Sequence, residues 1–151
     1  MTLVMQPGNA AEVTGGQAPG SHQPDSIVRM HGHSAGFSFR MPAGFTEGLI
    51  WSAGMELVES EASREQRAIS IDMEGHLIRL PPNADTRPFL DGKAVYEVSP
   101  GNGDPAEGTW SLLAVWDSPR GPVALRAQQR SLSGRPDFRW AWEIFGTLEI
   151  R

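Results

Sequence analysis

The sequence predicts an all-β domain, because apolar and polar residues alternate along most of the chain from residue 26 onward. The 17 glycines and 12 prolines disfavour a helical bundle, and no heptad pattern or internal repeat is visible. Short turns separate the alternating runs, which predicts a single antiparallel up-and-down β-barrel of about eight strands over residues 26–151. A two-sheet sandwich is the alternative that the alternation leaves open.

The predicted strands follow in order, and the last shows the clearest alternation, with Trp140 and Trp142 on one parity. Turns at Glu74-Gly75 and Asp91-Gly92 predict hairpins. The strands are expected near residues 26–31, 35–41, 48–59, 66–73, 76–80, 93–99, 109–117, 122–132 and 137–150. The first two count as one strand if the chain bends at Gly32, which leaves eight.

Residues 1–25 are expected to form a flexible leader, because Val13 is the one large apolar side chain between residues 6 and 25. The alternative is that the apolar residues at its start dock on the domain and that the leader closes over a cavity as a lid. The opening lacks the basic and apolar regions of a secretory signal, so we expect a cytoplasmic protein.

Composition excludes several functional classes. Lys93 is the single lysine and the net charge is −5, which disfavours nucleic-acid binding. There are no cysteines to form disulfides or thiolate sites. No apolar run reaches the roughly 18 residues of a membrane span, so no membrane partner is expected. The high ratio of arginine to lysine is typical of a high-GC bacterial genome.

A metal site was considered at His31 and His33, whose spacing places both rings on one face of a strand, with His76 as a third ligand. No carboxylate follows in Ser34–Phe39, where a cupin-like site would require one. The sequence also lacks a phosphate loop, a dinucleotide fingerprint and a nucleophile elbow. We therefore predict neither a metal nor a cofactor.

Three polar side chains share the parity that the alternation assigns to the interior: His76, Tyr96 and Gln129. They either bond to the backbone and to one another, or line a cavity and await a ligand. In a cavity they would be candidate catalytic donors, because an enclosed apolar space can fold a flexible substrate and a donor can stabilise developing charge. The large inward side chains expected to contact the substrate are Trp51, Met55, Trp110, Trp116, Trp140 and Trp142.

The tryptophan-rich segments Gly108–Leu112 and Arg139–Glu143, together with the strand count, resemble small bacterial β-barrel cyclases of polyketide pathways. These enzymes perform intramolecular Diels–Alder closure of spirotetronate or spirotetramate products. The resemblance covers residues 26–151 and implies a cofactor-independent cyclase for an apolar polyene substrate, with the leader as a lid.

Two other functions stay open at this point: a lipocalin-like carrier of an apolar small molecule, and a structural domain with a solid core. The expected partner is therefore an apolar substrate or ligand. Phe145 lies on the outward parity of the last predicted strand, and an exposed aromatic there would support a homodimer.

Overall fold

The computed structural model describes residues 29–60, 63–101 and 108–151, and side chains from residue 32 onward. Within the described residues, Met30–Arg40 and Gly44–Arg151 belong to one compact unit. The predicted leader over residues 1–25 lies outside the described residues.

The described chain is mostly β-strand, as the alternation predicts. Its elements are β1 (Arg29–His33), β2 (Phe37–Met41), β3 (Phe45–Trp51), β4 (Gly54–Glu59), β5 (Ala68–Asp72), β6 (Asp85–Phe89), β7 (Gly92–Pro100), β8 (Thr109–Ser118), β9 (Gly121–Arg130), helix α1 (Arg139–Phe145) and β10 (Glu149–Ile150).

The strands form two antiparallel sheets that do not close into a barrel. A three-stranded sheet has the order β1-β2-β10, and a seven-stranded sheet has the order β3-β4-β5-β9-β8-β7-β6. The all-β prediction is confirmed, whereas the single eight-stranded barrel is wrong. The physical reason lies in two segments: β5 pairs with β9 instead of its successor, and helix α1 occupies half of the expected closing strand at residues 137–150.

The predicted hairpin at Glu74-Gly75 is replaced by a 3₁₀ turn over Gly75–Leu77. The amides of Leu77 and Ile78 donate to the carbonyls of Glu74 and Gly75 at 2.9 and 3.0 Å. Gly75 packs against β9 so closely that a Cβ would lie 2.6 Å from the Pro122 carbonyl carbon. The chain then crosses to the far edge of the sheet, so the strand predicted at 76–80 does not form, and His76 is exposed instead of facing inward.

The predicted Asp91-Gly92 hairpin forms with a shifted position, and a second hairpin forms where one strand was predicted. Leu90 and Asp91 form the β6–β7 turn, because Phe89 pairs with Gly92, and Leu90 adopts a positive φ of 52°. The segment predicted as one strand at 48–59 contains a hairpin, β3–β4, with a register shift between Glu47 and Ile50. A glycine-containing turn thus located the β6–β7 hairpin to within one residue.

Helix α1 replaces the strand that the alternation of Phe138, Trp140 and Trp142 predicts. Ala141, Ile144 and Phe145 are buried together with Leu148, and this set also has the i, i+3, i+4, i+7 spacing of a helix. A period of two and a helical period both fit the segment. The helix forms because it buries apolar side chains at both even and odd positions, which a strand would place on opposite faces. Phe145 is fully buried, so the expected outward aromatic surface for a homodimer is absent at this residue.

Strands β8 and β9 confirm the predicted inward parity. Trp110 pairs with Gln129, and Trp116 pairs with Val123 at the other end of the same ladder. We call this apolar side of the seven-stranded sheet the inner face. Between these pairs the ladder is lined by buried Leu112, Ala114, Leu125 and Ala127.

Two sets of hydrogen bonds connect the small sheet to the large one. Nε2 of buried His33 lies 2.9 Å from the Trp51 carbonyl oxygen of β3. Arg120, in the β8–β9 turn, donates to the carbonyl oxygen of Arg151 at 2.7 Å. In the described part of the chain, no helix is long and apolar enough to cross a membrane.

Candidate functional site

Helix α1 lies over the inner face and contacts strands at both edges of the seven-stranded sheet. The Trp140 ring stacks on Phe45 of β3, with centroids 6.0 Å apart. Trp142 instead contacts Phe89 of β6 at 5.7 Å and Tyr96 of β7 at 5.4 Å, both edge to face. The region beside the helix therefore has two ends, each containing one tryptophan of α1.

The paired end is the group of side chains around Trp140: Phe45, Glu59, Glu65, Arg67, Gln129 and Trp140. The Gln129 Oε1 accepts a hydrogen bond from Trp140 Nε1 at 2.7 Å, and its Nε2 donates to Glu65 at 3.3 Å. Gln129 is buried, as predicted, and its amide connects α1 to the segment before β5. Of the two interpretations given for the inward polar residues, Gln129 fits the one in which the side chain bonds to protein partners.

Arg67 and Glu59 form the ionic part of the paired end. The Arg67 Nε donates to Glu59 Oε2 at 3.0 Å, and the Arg67 amide donates to Glu59 Oε1 at 3.1 Å. The guanidinium lies 5.3 Å from the Phe45 ring centroid and 5.0 Å from that of Trp140. Burial alone would raise the pKa of Glu59, but hydrogen bonds from Arg67 and Ser63 and the Arg67 charge outweigh it, so the pKa is lowered.

The open end is the group around Trp142, which consists of Arg87, Phe89, Tyr96, Trp116 and Trp142. Phe89 stands between the two tryptophans, with its ring centroid 5.4 Å from Trp116 and 5.7 Å from Trp142. The edge-to-face contacts that it makes with both indoles are the favoured geometry for aromatic pairs. Among the described residues, the side-chain contacts of this end are consequently aromatic and cation–π contacts.

Arg87 brings a cation to the open end. Its Cζ lies 4.2 Å from the Trp142 ring centroid, which is a close cation–π contact. Among the described residues, no carboxylate lies within ion-pair distance of Arg87. A solvent-open hollow of about 410 Å³ adjoins the contact; it is lined by Arg87, Asp137, Arg139, Trp142 and Glu143.

The other charged groups of this hollow already contact one another. Arg139 Nε lies 3.7 Å from Glu143, an exposed i, i+4 pair on α1. Asp137 accepts a hydrogen bond from the Arg139 amide at 3.0 Å. Among the described residues, Arg87 therefore contacts an aromatic ring but has no acidic partner.

Trp116 carries an unpaired donor at the open end. Its Nε1 is buried and has no hydrogen-bond partner among the described residues, while the whole side chain is 3% exposed. An unsatisfied buried donor costs about 1–3 kcal/mol. A Cβ added at Gly92 would lie 3.9 Å from this nitrogen, an ordinary van der Waals distance, so the glycine is a near neighbour of the N–H.

The structure does not bring the three predicted catalytic donors together. Gln129 lies in the paired end, half-buried Tyr96 in the open end, and exposed His76 on the 3₁₀ turn. Gln129 pairs with Trp110 on β8, and Trp110 pairs with Pro100 on β7. Pro100 is four residues from Tyr96 along the same strand. That offset is roughly 13 Å along the strand.

The six predicted substrate contacts are also divided. Trp140 lies in the paired end, whereas Trp116 and Trp142 lie in the open end. Met55 is buried on β4, and Trp51 and Trp110 are half-buried. Arg87 was not among the predicted site residues. It lies two residues before Phe89 and therefore shares its parity, and an arginine on an inward parity is the signal that would have indicated it.

The histidines considered as metal ligands have other environments. The Nδ1 of His33 accepts from the Ala35 amide at 2.9 Å, so its Nε2 carries the hydrogen that is donated to Trp51. The side chain of His31 lies outside the described part. Within the described residues, no group of three or more histidine, aspartate or glutamate side chains could hold a metal ion.

Comparisons with known proteins add little to this geometry. No protein-family description matches the sequence, and no curated protein matches it. A crystal structure of a protein from Bacteroides thetaiotaomicron VPI-5482 is similar with a TM-score of 0.47 and 17% sequence identity. The match covers 76% of this chain and 45% of the Bacteroides chain, so this chain spans less than half of that protein.

Proposed function

We propose that this domain binds a small organic anion with a flat apolar body at the open end. One observation carries the proposal: the Arg87 guanidinium stacks on Trp142 beside an open hollow and has no carboxylate partner among the described residues. A guanidinium stacked by its face keeps its edge N–H groups available for a carboxylate. The hollow beside Trp142 would receive the apolar body of the ligand.

The anion is recognised locally under this proposal. The net charge of the chain is −5, so its overall field does not attract anions. Arg87 is half-buried, and the indole beneath it excludes water from one side of the guanidinium. Both conditions strengthen a charge-assisted hydrogen bond relative to one made in bulk water.

This proposal develops the carrier alternative that the sequence left open. The cyclase stays a prediction, and the geometry gives it less support, because the Gln129 amide is already engaged and the three expected donors lie apart. The solid-core alternative suits the paired end, where the polar side chains bond to one another.

The test is a calorimetric titration of the full chain with 2-naphthoate and, separately, with its neutral isostere naphthalene-2-carboxamide. We expect the carboxylate to bind at least about tenfold more tightly, the value of one charge-assisted hydrogen bond. Arg87→Gln should abolish this preference. Arg79→Gln, which removes an equal charge at an exposed position, should retain it.

Equal affinity for the two compounds, or a preference that survives in Arg87→Gln, would overturn the proposal. Turnover is checked separately by mass spectrometry after incubation with a linear polyene carboxylate. Recovery of the intact compound agrees with binding alone, whereas an isomeric cyclised product would favour the cyclase.

A further inference from the structure

The unpaired N–H of Trp116 and the guanidinium of Arg87 belong to one cross-strand row of the inner face. Trp116 on β8 pairs with Ala94 on β7, and Ala94 pairs with Arg87 on β6. The two outer residues are therefore two strands apart, or roughly 10 Å between their Cα atoms. A flat molecule of two fused rings with a substituent at each end has about this length.

Small residues form the floor between these two groups. Ala94 is the middle residue of the row, and Gly92 lies next to Trp116 Nε1 at the start of β7. Neither projects more than a methyl group. The Phe89 ring occupies the adjacent space, since Phe89 pairs with Gly92 and contacts both indoles.

We propose that Trp116 Nε1 is a second ligand-binding donor, which becomes accessible to the ligand when the Phe89 ring swings out of this space. The inference rests on the proposed function, because Arg87 holds the other end of the same ligand. It names the ligand class: a flat aromatic or conjugated carboxylate of about two fused rings with a carbonyl group at the end opposite the carboxylate. The ligand carbonyl accepts a hydrogen bond from Trp116 Nε1, for which the described residues provide no acceptor.

Two features support a ligand at this position. A buried indole N–H is normally paired, and this one faces a glycine instead of an acceptor. Phe89 stands at the end of β6, directly before the turn, so its side chain can move without breaking the interior of the sheet.

The experiment compares 6-acetyl-2-naphthoate, which has the distal carbonyl, with 6-ethyl-2-naphthoate, which lacks it. In the wild-type chain we expect the acetyl compound to bind about fivefold more tightly, as one neutral hydrogen bond would give. Trp116→Phe removes the donor and should reduce the ratio to about one. Trp110→Phe, a tryptophan on the same face of β8, is the matched control and should keep it.

A second measurement uses the wild-type chain and does not depend on the folding of any variant. In a ¹H–¹⁵N spectrum, the Trp116 indole resonance should move downfield with the acetyl compound and not with the ethyl compound. Phe89→Ala, which removes the ring that must move, should bind the acetyl compound more tightly than the wild type does.

The outcomes separate the two proposals. If both naphthoates bind with equal affinity and the Trp116 indole resonance responds equally to them, the second donor is wrong while anion binding at Arg87 stands. If the acetyl preference persists in Trp116→Phe, another donor reads the carbonyl and the inference is overturned. If neither naphthoate binds, the proposed function fails and this inference fails with it.

Discussion

The paired end and the open end differ in how completely their polar groups are satisfied. In the paired end, Gln129 bonds to Trp140 and Glu65, and Arg67 bonds to Glu59. In the open end, the Trp116 N–H has no partner and Arg87 has no acid among the described residues. Both ends place a tryptophan of α1 on the sheet, so aromatic content alone does not distinguish a structural contact from a binding site.

This difference favours a structural role for the paired end and a binding role for the open end. A buried polar network stabilises a fold when every member has a partner, and an incomplete network costs free energy unless another molecule completes it. The paired end therefore fixes α1 on the sheet. The open end retains donors that a ligand can use. Four predictions test this division, and they follow in order of decreasing effect.

Replacing Glu59 by Gln should destabilise the chain most, because Arg67 loses its nearer counter-charge while it remains between two aromatic rings, and the more exposed Glu65 lies 3.9 Å away. We expect a loss of about 2 kcal/mol at neutral pH, measured by urea unfolding. The exposed pair offers the control: Glu143→Gln should change stability by at most about 0.5 kcal/mol.

The pH dependence of the same variant has a defined sign. The folded state lowers the pKa of Glu59, so its contribution is complete above the pKa of an unfolded glutamate, about 4.3. It is lost as the pH falls from there through the lowered pKa. The wild-type advantage over Glu59→Gln should shrink across this acidic window, and an advantage that is unchanged there would contradict the ion pair.

Gln129→Leu should have a smaller effect, about 1–1.5 kcal/mol, because it leaves the Trp140 indole N–H and the Glu65 carboxylate without their shared partner. The neighbouring Gln128 is exposed, so Gln128→Leu is the matched control and should be nearly neutral. Affinity for 2-naphthoate should be unchanged in both variants. A loss of affinity or of any cyclase turnover confined to Gln129→Leu would assign this residue to the functional site.

The smallest effect is spectroscopic and compares the two ends directly. The Trp140 indole proton is hydrogen-bonded, so Gln129→Leu should move its ¹H resonance upfield. The Trp116 indole proton has no partner among the described residues and should not respond to that substitution. Upfield movement of both resonances would show that the two ends are coupled and would remove the distinction between them.

Several features of the fold could be predicted from the sequence because they depend on local periodicity. The inward parity of Trp110, Trp116 and Gln129 holds, since alternate side chains of a strand face the same side. The β6–β7 turn was predicted from Asp91-Gly92 and lies one residue away, whereas strand β6 was not among the predicted strands.

The errors occurred where two local patterns fit equally well. Residues 138–150 have aromatic side chains at a period of two, and they also contain Ala141, Ile144 and Phe145 at helical spacing. A seven-residue helix has little stability alone, so contacts with the sheet decide between the two periods. At Gly75, close packing against Pro122 favours a 3₁₀ turn over the expected hairpin.

The β-rich class and the buried face of β8 and β9 follow from the amino-acid pattern alone, because a strand alternates sides whatever its neighbours are. The open sheets, the position of α1 over the inner face and the pairing of the inward polar groups follow from tertiary packing. Those outcomes depend on residues that are distant in the chain, such as Glu65 with Gln129 and Arg87 with Trp142. Local periodicity contains no information about such pairings, since they arise when separate elements pack together.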